Sequence, residues 1–120
     1  AETVRKRWGQ HFVVCKTCEP MTWFYLYSTG DPVGAGVKFR RGVVTAVFTL
    51  GMPLGWRSAT GVRVGQLLDA NAPSSGGRWK SCAGFSVRSH PTGRSVTSIL
   101  TLGAAVYGFS LTRPSESVCH

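Results

Sequence analysis

The chain has 120 residues, with 14 Lys or Arg against 5 Asp or Glu, and a formal net charge of +9. Hydrophobic residues make up 42 % of it, which excludes a chain that is disordered by composition. A positive field of this size attracts polyanions such as nucleic acid, acidic glycan or anionic lipid head groups, but it does not select among them.

We predict a single domain over residues 1–120, because this length is enough to bury a core. Residues 1–9 form a predicted basic arm, and residues 113–120 form a tail that we expect Cys119 to tie down. No apolar run reaches the length of about 18 residues that a membrane-spanning helix needs, so we expect no transmembrane segment.

Short segments rich in Val, Thr and aromatic residues, separated by Gly, Pro and Ser, predict strands. The predicted strands are 10–16, 21–28, 36–41, 43–50, 61–68, 79–88, 95–101 and 104–112. A tight link is expected at Arg41-Gly42 and a turn at 90–93; the one place for a helix is Val64 to Ala70. This pattern predicts an all-β domain: a small, disulfide-braced β-sandwich or partly closed barrel of seven or eight antiparallel strands.

Basic side chains stand beside aromatic ones at several places in the sequence. Arg offers a planar donor fork to phosphate, sulfate or carboxylate, and it also stacks on rings. The residues that we assign to polyanion binding are Arg5, Lys6, Arg7, Lys38, Arg40, Arg41, Arg57, Arg78 and Lys80. The alternative is that these charges form ordinary solvated faces.

The segment 21–27 does not show the alternation of polar and apolar residues that is typical of a strand with one solvent-exposed face. Its odd positions carry Trp23, Tyr25 and Tyr27, and its even positions carry Phe24 and Leu26. If the even positions fill the core, the odd ones form an exposed aromatic ladder, which is typical of protein interfaces and of platforms for bases or sugars. We predict that Trp23, Tyr25 and Tyr27 bind a partner. The alternative is a central strand that is covered on both faces.

Four cysteines stand at positions 15, 18, 82 and 119. An even set favours two structural disulfides and an oxidising compartment: secreted, periplasmic or on an extracellular particle. We favour pairing Cys18 with Cys82 and Cys15 with Cys119, because a bridge between near neighbours in a strand is strained. A zinc site would need the C-x-x-C pair to recruit single, distant ligands, so we expect no metal and no cofactor.

The acidic residues are scattered, and Gly-x-Ser-x-Gly is absent, so we assign no catalytic residue. We predict a non-enzymatic, secreted or particle-associated β-domain. It binds a protein partner or itself through the aromatic strand and contacts anionic surfaces. One alternative is a small secreted nuclease or toxin domain that uses His11 or His90. Another is a structural subunit of a virion or filament.

Overall fold

The computed structural model describes residues 1–26, 33–68 and 77–119, which form one antiparallel sheet of eight strands and one short helix. The elements are α1 (Glu2–Trp8), β1 (Val13–Cys15), β2 (Met21–Leu26), β3 (Gly34–Arg40), β4 (Val43–Leu50), β5 (Arg78–Cys82), β6 (Phe85–Thr92), β7 (Ser95–Leu102) and β8 (Ala105–Thr112). The strand order is β1-β2-β3-β4-β8-β7-β6-β5, so the sheet is open, with β1 and β5 at its edges. The predicted all-β class and strand number are confirmed.

The sheet consists of two four-stranded meanders, β1–β4 and β5–β8. They join where β4 pairs with β8 over three residue pairs, from Ala46–Thr112 to Phe48–Ser110. The last hairpin of each meander carries a bulge after the second residue pair from its turn, at Lys38/Phe39 in one and Leu100/Thr101 in the other. The two halves therefore share a backbone plan that the sequence does not reveal as a repeat.

The predicted link at Arg41-Gly42 is confirmed as a two-residue turn between β3 and β4. Both residues have positive φ, 52° and 76°, which is the twist that tight hairpins favour. The turn expected at 90–93 is displaced, because β6 continues through Pro91 and the chain turns at Gly93-Arg94. Among the described residues β5 begins opposite Ser89, so no described strand pairs with Pro91 on that side and its missing N–H removes no described ladder bond.

Three other expectations about secondary structure are wrong. Segment 61–68 is not a strand: Gly61 and Gly65 have φ near 90°, and the segment contributes only isolated bridges. Segment 79–88 is two strands, because the chain reverses at Ala83-Gly84. The helix lies at Glu2–Trp8, and the described part of the predicted one, residues 64–68, is not helical. The observed helix has an acid in its first turn and three basic residues in its last turn, which complements the helix dipole.

The two faces of the sheet are covered differently. One face of the sheet carries the hydrophobic cluster of the N-terminal half, and we call it the outer face. Its cluster residues are Trp23, Tyr25, Val37 and Phe39, and α1 packs against them. On the opposite, inner face, Phe24 of β2 and Tyr107 of β8 line one cavity, although β3 and β4 lie between their strands. The inner face is therefore concave.

The C-terminal tail shows the same curvature. Glu116 contacts Arg40 of β3, and Cys119 is bonded to Cys82 of β5. Strands five positions apart lie about 24 Å apart in a flat sheet, which is close to the full reach of three extended residues together with the Arg40 and Glu116 side chains and the disulfide. Both contacts by one short tail therefore favour a coiled sheet.

Two disulfides are present, as in proteins of oxidising compartments, and the described part of the chain has no free cysteine. The predicted tie at Cys119 is confirmed, but the predicted pairing is wrong. Cys15 pairs with Cys18 and Cys82 pairs with Cys119, with Cα separations of 5.4 and 5.6 Å. The near-neighbour bridge is feasible because Cys18 lies beyond the end of β1, where the chain bends back.

Candidate anion-binding interface

The aromatic strand β2 is core and not an exposed ladder. Trp23 and Tyr25 are only 3 % and 2 % exposed. The ring of Phe12 stacks on Trp23 at 4.2 Å between centroids, and Trp8 packs edge-on against Tyr25 at 5.3 Å. The expectation of exposure is therefore wrong for Trp23 and Tyr25, and the alternative of a strand covered on both faces describes them. Tyr27 lies outside the described residues.

The basic residues at the N-terminus belong to α1 and do not form a free arm. The guanidinium of Arg5 lies over the rings of Trp23 and Phe12, 5.0 and 5.6 Å from their centroids. Lys6 forms an exposed ion pair with Glu2 at 3.1 Å, and Arg7 is exposed. Arg5 therefore helps to cover the core that the aromatic strand builds.

One end of the sheet collects arginines from three separate elements. The β3–β4 turn, the β6–β7 turn and the end of β8 lie at the same end, because successive neighbours in the sheet are antiparallel. The residues of this arginine-rich end are Arg40, Arg41, Arg94 and Arg113. The amino group of Ala1 joins them by donating to the carbonyl of Gly42 at 3.4 Å.

Arg94 and Arg113 line one cavity of about 580 Å³ at this end. Hydroxyl residues and apolar residues form the rest of its wall, and no acidic residue belongs to the part of the wall that is described: Val44, Thr45, Ala46, Val47, Ser95, Leu111, Thr112, Pro114 and Ser115. Two arginines in the wall of one concave surface, with no carboxylate in the described part of that wall, suit a phosphate, sulfate or carboxylate group.

A comparison of the chain with protein-family models, curated proteins and solved structures finds no match.

Arg40 has a structural partner, whereas no ion pair joins Arg94 or Arg113 to any residue that the structure describes. Its Nε donates to Oε1 of Glu116 at 2.9 Å. This hydrogen bond is the main cause that lowers the pKa of Glu116, against the opposing effect of its desolvation, and it raises the pKa of Arg40. Arg40 thereby fastens the tail to β3. Arg41, Arg94 and Arg113 are exposed and form no ion pair with a described residue.

The other predicted polyanion-binding residues are distributed over the molecule. Arg57 stands directly opposite Arg63 in an isolated bridge of the 51–68 segment, and both are exposed. Arg78 and Lys80 are exposed on the edge strand β5. Lys38 lies on the inner face over the ring of Phe48. These residues do not form one patch with the arginine-rich end.

Sequence reasoning missed Arg94 and Arg113, because it searched for cations beside aromatic residues. Neither of them has an aromatic neighbour in the sequence. Their positions relative to the predicted strands could have identified them. Arg94 follows a glycine between two predicted strands, and Arg113 directly follows the last predicted strand.

The two described histidines, His11 and His90, occupy different halves of the molecule. His11 is exposed before β1, whereas His90 lies in β6 beside Arg88, since a Cβ added to Gly77 would meet both of their side chains. Within the described ranges, no three His, Cys, Asp or Glu residues gather where they could hold a metal ion. No helix in those ranges has the length and hydrophobicity to cross a membrane.

Proposed function

We propose that this protein is a non-enzymatic, disulfide-braced β-domain that binds polymers carrying repeated phosphate or sulfate groups. The observation that supports this proposal is the cavity shared by Arg94 and Arg113, with Arg41 on the β3–β4 turn at the same end of the sheet. The β3–β4 and β6–β7 turns are three strand spacings apart, or roughly 14 Å in a flat sheet. An extended polymer therefore meets cations at both turns and at Arg113 between them.

The chemistry of the cavity favours recognition of charge over recognition of bases. Its described wall contains no aromatic side chain, so it offers no platform on which a base could stack. The contacts it can make are ion pairs from Arg and hydrogen bonds from Ser and Thr. We propose an extracellular or particle-associated location for this binding, which is consistent with the two disulfides.

The test is the salt dependence of binding to heparin and to single-stranded RNA. We expect the affinity for both to fall as NaCl rises, because each ion pair formed releases a counterion. The double variant Arg94→Gln/Arg113→Gln should flatten the slope of log affinity against log salt by about two, since each lost contact removes roughly one unit.

The matched comparison is Arg57→Gln/Arg63→Gln, which removes the same charge from an exposed pair outside the arginine-rich end and also tests the binding role that the sequence predicts for Arg57. We expect it to leave most of the affinity and slope unchanged. Equal losses in the two double variants would contradict a site at the arginine-rich end and would point to the net charge alone. The comparison of heparin with RNA identifies the polymer class that the protein prefers.

The nuclease alternative has one supporting contact, the proximity of His90 to Arg88. It is tested by incubating the purified protein with RNA: turnover that disappears in His90→Ala or His11→Ala would replace the binding function by an enzymatic one. The subunit alternative is tested by size-exclusion mass, since a monomer at all concentrations would remove it.

A further inference from the structure

A second cavity, of about 470 Å³, lies on the inner face of the sheet. It shares no lining residue with the cavity of Arg94 and Arg113. Its wall is mainly aromatic and aliphatic, with contributions from Phe24, Phe48, Leu50, Leu100 and Tyr107. Burial raises the pKa of Tyr107, so the phenol stays neutral. The size and lining are those of small-molecule sites, which are largely apolar with a few placed polar groups.

The ring of Phe48 forms part of this wall because the opposite residue is glycine. A Cβ at Gly36 would lie 2.3 to 2.7 Å from three atoms of the ring, so only a residue without a side chain allows the ring to lie across β3. The ammonium group of Lys38, two residues further along β3, lies 5.5 Å from the centroid of the same ring. The fold thus holds one cation at a fixed place beside an aromatic surface.

Lys38 is half-buried in this wall, and burial lowers the pKa of its ammonium group although the charge of Glu116 acts in the opposite direction. Among the residues that the structure describes, no carboxylate is within 4.0 Å of its Nζ. The ammonium group can therefore accept an anionic partner from outside the chain. Glu19 also lines the cavity, but it is exposed.

We propose that this cavity binds an amphipathic carboxylate with a single aliphatic chain. The carboxylate pairs with Lys38, and the chain packs between Phe24, Phe48 and Leu100. Charge complementarity selects the head group, because Lys38 is the only cation in the described wall. The apolar wall selects the chain, since each methylene gains by leaving water. This site does not depend on the polyanion function.

The experiment is calorimetric titration of the full chain with hexanoate, octanoate and decanoate. Burial of about 0.8 kcal/mol per methylene corresponds to about fourfold tighter binding per added carbon, or about fifteenfold per step of the series. We expect one molecule bound per chain. Decanol and decyltrimethylammonium, which have the same chain with a neutral or cationic head, should bind at least about tenfold more weakly.

Two variants separate the site from general adsorption. Lys38→Gln should weaken decanoate binding at least about tenfold and leave decanol binding unchanged, because only the charged hydrogen bond is lost. Lys80→Gln removes an equal charge from the exposed strand β5 and should leave the affinity unchanged. Far-ultraviolet circular dichroism and thermal melting verify that both variants are folded.

Several results would overturn the proposal: decanoate binding that is equal in Lys38→Gln and wild type, affinity that does not rise with chain length, or stoichiometry well above one. Tighter binding of decyltrimethylammonium than of decanoate would also overturn it, because it would show that the carboxylate of Glu19, and not Lys38, pairs with the head group. The Arg94→Gln/Arg113→Gln variant separates the two functions, because it should lose polyanion affinity while its binding of decanoate is unchanged.

Discussion

The two halves of the sheet follow the same backbone plan but bury different side chains. In the N-terminal meander, Trp23, Tyr25, Val37 and Phe39 pack in one cluster beneath α1. In the C-terminal meander, the most buried residues include several with hydroxyl groups: Ser98, Thr101, Ser110 and Thr112. Of these, Ser98, Ser110 and Thr112 each have a buried hydroxyl oxygen without a hydrogen-bond partner among the described residues.

The difference shows that a sheet of this shape can be held together in two ways. Aromatic side chains contribute large areas of apolar burial, whereas an unpaired buried hydroxyl costs about 1–3 kcal/mol. The half that buries several hydroxyl groups has the long-range disulfide, Cys82–Cys119, and the half with the aromatic core has a local one, Cys15–Cys18. We infer that packing stabilises the first half and the cross-linked tail stabilises the second.

The largest expected effect on the free energy of unfolding is the loss of the Trp23 ring from the N-terminal half, compared with the loss of the Trp79 ring from the C-terminal half. Trp23→Ala should lower the free energy of unfolding by about 3–5 kcal/mol, because it leaves a cavity in the N-terminal core. Trp79→Ala in β5 should cost less than about 1 kcal/mol, since Trp79 is 52 % exposed and its contact with Arg88 is a cation–π interaction. Urea denaturation measures both, and equal losses would contradict the comparison.

The next effect distinguishes the two disulfides. Replacing Cys82 and Cys119 by Ser should cost about 4 kcal/mol, whereas replacing Cys15 and Cys18 should cost roughly 1.5 kcal/mol. The reason is the sequence separation of 37 residues against 3, because a longer closed loop restricts the unfolded chain more. Urea denaturation of the two double variants under the same conditions provides the measurement. A larger loss of stability in the Cys15/Cys18 variant would show that the cross-linked tail does not stabilise the C-terminal half.

The smallest expected effect concerns Glu116, which fastens the tail of the second half to Arg40 of the first. Because folding lowers its pKa from the ordinary value of 4.5, the stabilisation is present above pH 4.5 and is lost as the pH falls through the folded value. Glu116→Gln should therefore melt below wild type at neutral pH and match it in acid. Glu2→Gln, in an exposed pair of α1, is the control with almost no effect. A constant difference at every pH would contradict the role of the Glu116 charge.

Local patterns in the sequence predicted most strands of the sheet. Alternation and turn residues identified β4 with its observed bounds, and they placed β2, β3, β7 and β8 within a few residues. They failed at 79–88, because apolar alternation continues across the reversal at Ala83-Gly84. They also missed α1, which is stabilised by contacts such as Trp8 on Tyr25 and not by a strong apolar period of its own.

The candidate site was less predictable than the fold. Arg40 and Arg41 were identified from their neighbours in sequence, but their association with Arg94 and Arg113 depends on which strand ends meet. The sequence predicts an exposed surface for Trp23 and Tyr25, because it does not show that α1 and Phe12 cover them. The binding roles of Arg5, Lys6, Arg7, Arg57, Arg78 and Lys80 stay predictions.

The sequence by itself determined the positive charge, the all-β class, the use of all four cysteines in disulfides and the hairpin at Arg41-Gly42. Each of these depends on composition or on residues that are close together in the chain. Tertiary structure alone decided the pairing of the cysteines, the burial of the aromatic strand and the meeting of Arg94 with Arg113. These depend on strand order and on the coiling of the sheet, which bring together residues that the local pattern treats as independent.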